Sequence, residues 1–161
     1  MPLLDRTGAV AEDPWQFIGP GETPPGAGDI VVALDELPGN HRGLLGAVIP
    51  NDRDVGALQD AISRLSLVVL AFPVFSDGRA YSQARRLRDH LGFDGEIRAS
   101  GNILPDQFAF MLEAGFDTFD VKTDRFPLAR WREALQAVTF TYHRQLGRAG
   151  QRAILAARHA G

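Results

Sequence analysis

The stretch Leu67-Val68-Val69-Leu70-Ala71-Phe72 is a continuous apolar run in which no polar residue alternates with an apolar one. A strand with one wet face alternates, so six apolar residues in a row, rich in valine and leucine, describe a strand covered on both faces. Such strands belong to parallel sheets, and a parallel sheet needs crossover connections between its strands. The flanking sequence supplies them. Ser76-Asp77-Gly78 leads into a helix through Arg79–Leu91 that Gly92 stops, and Glu96–Ser100 reads as the next strand. Gly101-Asn102 turns the chain, Pro105 suits a first helical turn, and Phe108, Met111 and Leu112 give a core face before Gly115. Asp117–Val121 is the last strand candidate. Pro127 then opens a helix on which Leu128, Trp131, Leu135, Val138 and Tyr142 recur at a helical rhythm.

Upstream, Ile30–Leu34 and Leu44–Ile49 are two more strand candidates, separated by a turn at Pro38-Gly39-Asn40. Asp52 or Asp54 is placed to cap a helix carrying Val55, Leu58, Ala61, Ile62 and Leu65. Between Trp15 and Gly28 proline and glycine are too dense for a helix, so a loop is expected there, with at most a short strand at Trp15–Phe17. The class is therefore α/β, with strand–helix units forming a small parallel sheet that resembles half of a (β/α) barrel or a small open sheet. The 161 residues suit one domain. Its expected parts are an irregular N-terminal segment (1–28), an α/β core (44–146) and a basic tail (147–161). Unpaired strands of a half-barrel need covering, by the N-terminal segment or by a second copy, and the sequence favours a homodimer.

The absence of cysteine excludes disulfides, thiolate metal sites, iron–sulfur clusters and cysteine nucleophiles. His41, His90, His143 and His159 are scattered and make no short metal motif, so no metal is indicated. Ser76, Ser82 and Ser100 lack a nucleophile's glycine-flanked turn, and Gly26-Ala27-Gly28 precedes a strand instead of following one, so it is no dinucleotide fingerprint. No cofactor is expected. The opening Met1–Arg6 lacks the basic-then-apolar pattern of an export signal, and the longest apolar run is half a membrane span, so the chain reads as a soluble cytoplasmic protein without membrane contact. Net charge is −3, an argument against nucleic acid, but it is polarised. Residues 1–40 hold seven acidic groups against one basic, and 125–161 one acidic against seven basic. Arg144 to Arg158 could meet an acidic partner, or could simply be a solvated amphipathic helix.

In parallel α/β proteins ligands bind at the loops that follow the strands. Here those loops gather Asn51, Asp52 and Asp54; Ser76, Asp77, Gly78 and Arg79; Ser100, Gly101 and Asn102; and Asp120, Lys122 and Thr123. The candidate ligand site comprises Ser76, Asp77, Gly78, Arg79, Arg98, Ser100, Asn102 and Asp120. A helix N-terminus at Gly78 with Arg79 beside it is suited to a small oxyanion, with Asp77 turned toward Arg98. The competing reading is a helix cap in which Ser76 or Asp77 occupies the same N–H groups. Arg98, inside a strand, must face solvent or find a carboxylate such as Glu96, Asp77 or Asp120.

Phe75-Ser76-Asp77-Gly78-Arg79-Ala80-Tyr81-Ser82-Gln83-Ala84-Arg85, followed by Gly95–Asn102, Asp106-Gln107 and Ala114–Phe119, resembles an uncharacterised bacterial family, domain of unknown function 934, over roughly Leu44 to Val121. Members are described as oxidoreductases of sulfite reduction, because their genes neighbour those of sulfite reductase and of phosphoadenylyl-sulfate reductase. The resemblance implies a place in assimilatory sulfate reduction and names no catalytic residue. Sulfite reduction needs redox centres, and the chain offers neither cluster ligands nor a nicotinamide or flavin fingerprint, so the electrons would belong to a partner or to a non-covalently bound cofactor. The expectation is an accessory protein that binds a sulfite-reductase-type partner or a small oxyanion. The alternative is a small enzyme acting on an anionic substrate with Asp77, Arg79, Arg98 and Asp120 around it.

Overall fold

In the computed structural model, described here for residues 1–139, the chain forms one eight-stranded sheet in the order β2-β1-β8-β7-β6-β5-β4-β3. Strands β3 (Gln16–Phe17), β4 (Ile30–Ala33), β5 (Leu45–Ile49), β6 (Leu65–Phe72), β7 (Glu96–Gly101) and β8 (Thr118–Asp120) are all parallel and lie side by side in chain order. Strands β1 (Leu3–Asp5) and β2 (Val10–Ala11) form a hairpin that adds antiparallel to β8. The sheet curls as a half-barrel. Helices α1 (Arg79–Asp89) and α2 (Phe108–Ala114) make the crossovers to β7 and β8, and α3 occupies 128–139.

The α/β half-barrel matches the sequence reading, but the sheet is larger and mixed. The segment 1–28 holds three short strands joined by loops, and one of them, β3, lies where a short strand was expected at Trp15–Phe17. Strands β1 and β2 are three and two residues long, too short to carry a pattern that sequence can reveal, and each of the three exists because a neighbouring strand completes its hydrogen bonds. Thus β1 covers β8, and β3 covers β4. Strand β6, too apolar for an exposed edge, sits at the centre between β5 and β7. The N-terminal segment thereby supplies covering of the kind expected either from it or from a second copy.

The helix expected after Asp54 is a pair of 3-10 turns, Val55–Leu58 and Ile62–Arg64. Asp54 does cap, its carboxylate accepting from Gly56 N at 2.8 Å, but Gly56 is a poor helix former. Three residues per turn also point Val55 and Leu58 the same way, into the core. Helix α1 obeys the expected spacing, burying Ala80, Gln83, Ala84 and Leu87. Gly115 ends α2 with φ +107, a conformation that only glycine adopts freely. On α3, Trp131 and Leu135 are buried with Leu128 and Val138 packed beside them, as the rhythm predicts. Tyr142 and the tail 147–161 lie outside the described residues.

The sheet separates two apolar layers. Val68, Leu70 and Phe72 of β6 face the helices and the main core, whereas Leu67 and Val69 face the concave side with Val31, Val48 and Trp15. Each fully buried side chain of this size contributes about 1.5–3 kcal/mol. The concave side is tight near its middle, where a Cβ on Gly46 would stand 3.0 Å from Val31 and 3.2 Å from Leu67.

Candidate functional site at the carboxyl edge of the sheet

The eight residues expected to form one site fall into three groups. The first is Asp77, Gly78 and Arg79. Asp77 accepts from Arg79 N at 3.1 Å, from Arg79 Nε at 3.0 Å and from Arg79 Nη2 at 2.6 Å, and Asn51 Nδ2 donates to it at 2.6 Å. The guanidinium beside it, through side-chain and then backbone hydrogen bonds, holds the Asp77 carboxyl down at about 2. The start of α1 is therefore served by its own carboxylate, and the Arg79 fork is engaged with that carboxylate as well. Asp77 faces Arg79 and Asn51, not Arg98 as the oxyanion reading required.

The second group lies on the concave face. Arg98 is fully buried there, as expected of a charged strand residue with partners, and the sequence reading named one of those partners correctly. Its Nη2 donates to Glu96 Oε1 at 3.2 Å, while Nη1 and Nη2 donate to the two Asp13 oxygens at 2.9 and 3.2 Å. Phe17 lies under the guanidinium, its ring centre 5.8 Å away. Asp120, in hydrogen-bonding contact with Ser100, has its carboxyl raised by burial against the opposing pull of Arg98. Asp13 stands 85 residues from Arg98 in the chain, which is why no local pattern pointed to it. Ser100 also lines a cavity of about 370 Å³ on this face, walled by Phe17, Val48, Val69 and Ala71.

The third group, Ser76 and Asn102, lines a second cavity of about 330 Å³ at the carboxyl ends of β6 to β8. Gly101 and Asn102 border both cavities. Gly101 holds φ +104 with its missing Cβ 2.5 Å from Phe72 O, so no other residue fits there. Asn102 locks the loops around it: its N–H donates to Phe72 O at 2.7 Å and its Nδ2 to Pro73 O at 2.6 Å, and its Oδ1 accepts from Lys122 Nζ at 3.2 Å. Gln107 accepts from Leu104 N at 2.9 Å and donates to Phe75 O at 2.6 Å, tying the β6–α1 loop to the start of α2. Trp131 Nε1 donates to Lys122 O at 3.0 Å and to Phe126 O at 3.1 Å, fixing the loop after β8.

The two cations of this second cavity were not among the eight expected site residues, although Lys122 was counted with the loop residues that follow the strands. Lys122 and Arg125 both line it, and among the described residues neither has a carboxylate within ion-pair distance. Arg125 rests 5.4 Å over the Phe126 ring. A signal did exist: Lys122 is the one lysine in a chain whose other sixteen basic residues are arginine. Two cations outside any ion pair among the described residues, with a hydroxyl and an amide, share this concavity with one carboxylate, Asp124, and leave it a net positive lining that can hold an anion. Among the described residues no cluster of acidic and histidine side chains is suited to a metal, and no helix is long and apolar enough to cross a membrane.

Neither the curated proteins nor the solved structures give a match. The profile of a bacterial protein family of unknown function, domain of unknown function 934, matches residues 46–152, two thirds of the sequence, including α1, the strands β6 to β8 and the Lys122–Arg125 loop. The chain belongs to that family.

Proposed function

We propose that this protein is a non-redox accessory of sulfite reduction that binds a small oxyanion at the carboxyl edge of its sheet. One observation carries the binding site: Lys122 and Arg125, outside any ion pair among the described residues, line one cavity with Ser76 and Asn102. The sulfur setting rests on the family resemblance, and the non-redox role on the absence of cysteine ligands and of a dinucleotide fingerprint. The enzyme alternative draws no support from the geometry, since Asp77 and Arg79 satisfy each other while Arg98 and Asp120 lie on the concave face.

Calorimetric titration of sulfite, sulfate and phosphate tests the proposal. The expected result is millimolar or tighter binding of at least one anion, weakened about tenfold in Lys122→Met by loss of a charge-assisted contact. Arg85→Met, on the exposed face of α1, should titrate as the native protein does. Failure of every anion to bind at millimolar concentration, or equal binding by native protein and Lys122→Met, would exclude this cavity as the anion site.

A further inference from the structure

We infer that the carboxyl-edge cavity prefers, among anions, a singly charged organic one, a carboxylate or sulfonate with a compact apolar body, over a bare inorganic oxyanion. The inference rests on the reading that this cavity is the binding site, and it specifies what that site accepts. The first ground is charge. Lys122 and Arg125 face the cavity together with one carboxylate, Asp124, so the lining carries a single net positive charge. A dianion such as sulfate would enter with one charge uncompensated beside a carboxylate, whereas a monoanion balances the lining.

The second ground is the wall. Val74, Phe75, Ile103, Phe126 and Trp131 are among its apolar residues, and the cationic groups occupy only the side formed by the loop after β8. A bare oxyanion is stabilised by hydrogen bonds all round, which five apolar side chains cannot supply. Small-molecule sites combine apolar walls with a few polar groups that orient the ligand, and a volume of about 330 Å³ falls at the lower end of their size range. The third ground is exposure at the mouth. Val74 and Phe75 leave 51% and 49% of their surface in water, although both stand on a loop held by Gln107 and Asn102. Their apolar surface is the part that a ligand body would cover.

The floor is preformed. Trp131 is buried and donates to two carbonyls of the cationic loop, and its ring meets Phe126 edge-on at 5.6 Å. An anionic head would be held by Lys122 and Arg125 and its body by the apolar residues of the same cavity, so head and body are recognised by different residues.

That separation gives the test. Benzenesulfonate, methanesulfonate and sulfate are titrated by calorimetry into native protein, Phe75→Ala, Asp124→Asn and Lys122→Met, with circular dichroism confirming that each variant is folded. Benzenesulfonate should bind about tenfold more tightly than sulfate, from the apolar area that its ring removes from water. Phe75→Ala should weaken benzenesulfonate severalfold and leave sulfate unchanged, and Asp124→Asn should strengthen sulfate more than benzenesulfonate. Lys122→Met should weaken all three. Sulfate binding as tightly as benzenesulfonate, with both lost in Lys122→Met, would overturn the organic-monoanion inference and leave the oxyanion reading standing. If none of the three binds at millimolar concentration, both readings fall together. Benzenesulfonate binding unaffected by Phe75→Ala and by Lys122→Met would place it elsewhere and also overturn the inference.

Discussion

Arg98 joins the N-terminal segment to the sheet, and its removal measures how much that junction is worth. The side chain is 1% exposed, and its guanidinium binds Asp13 through two oxygens and Glu96 through one. Arg98→Met keeps the apolar stem and deletes the charge, leaving Asp13, Glu96 and Asp120 near one another without the guanidinium that joined them. Breaking a buried ion pair costs about 3–5 kcal/mol, chiefly from the charge left behind. Here the stranded carboxylates are not sealed in: Asp13 is 35% exposed and Glu96 26%, and Glu96 keeps the Thr118 hydroxyl at 2.6 Å. Hydration therefore places the cost at the lower end, about 3 kcal/mol. Asp13→Asn should cost less, because Arg98 retains Glu96.

The deficit has a definite pH dependence. Burial already raises the Asp120 carboxyl, and Arg98 pulls it down. Without Arg98 the folded-state value rises further above the unfolded one, so as pH falls the folded state takes up the proton first and gains stability relative to the unfolded chain. The gap between Arg98→Met and the native protein should accordingly narrow from neutral pH to about pH 4. Urea unfolding followed by tryptophan fluorescence, repeated across that range, gives both quantities. A variant within about 0.5 kcal/mol of the native protein at neutral pH, or a gap that widens on acidification, would refute the account of Arg98 as the cation that holds three carboxylates and the N-terminal segment together.

Gly101→Ala should destabilise by about 2 kcal/mol or more, because its φ of +104 strains any side chain and the new Cβ would meet Phe72 O; Gly39→Ala, in open space, should leave the urea midpoint unchanged. The Asp77 carboxyl should titrate at about 2 by carbon-13 NMR; lying below the unfolded 3.8, it contributes stability present above that value and lost as pH falls toward 2. Arg79→Lys, which lacks the planar fork, should move that midpoint upward, whereas Arg86→Lys should not, and equal behaviour of the two would sink the capping account. For the partner, deletion of residues 147–161 should weaken co-purification with sulfite reductase in low salt if the basic tail makes the contact; undiminished recovery would assign the contact to another surface.

Much of the fold was legible because its signals are local. The unbroken apolar run of β6, the i, i+3, i+4, i+7 face of α1, the Gly115 stop and the rhythm from Leu128 to Val138 depend on residues within a turn or two of one another. They were enough to determine an α/β chain with parallel crossovers. The strands β1 and β2 were not legible, because two or three residues have no period and become strands only when the edge of β8 is there to accept the hairpin; β3 was legible only as a short strand at Trp15–Phe17. The site divides along the same line. Ser76, Asn102 and the Arg98–Glu96 pair could be chosen from residue type and position after a strand. Only the tertiary structure decided that Asp77 would take the Arg79 fork, that Asp13 would reach Arg98, and that the single lysine would share a cavity with Arg125. Pairing between charges is settled by distance in space: the start of α1 sets Arg79 against Asp77 at the carboxyl edge, while β7 turns Arg98 to the concave face beside Asp13.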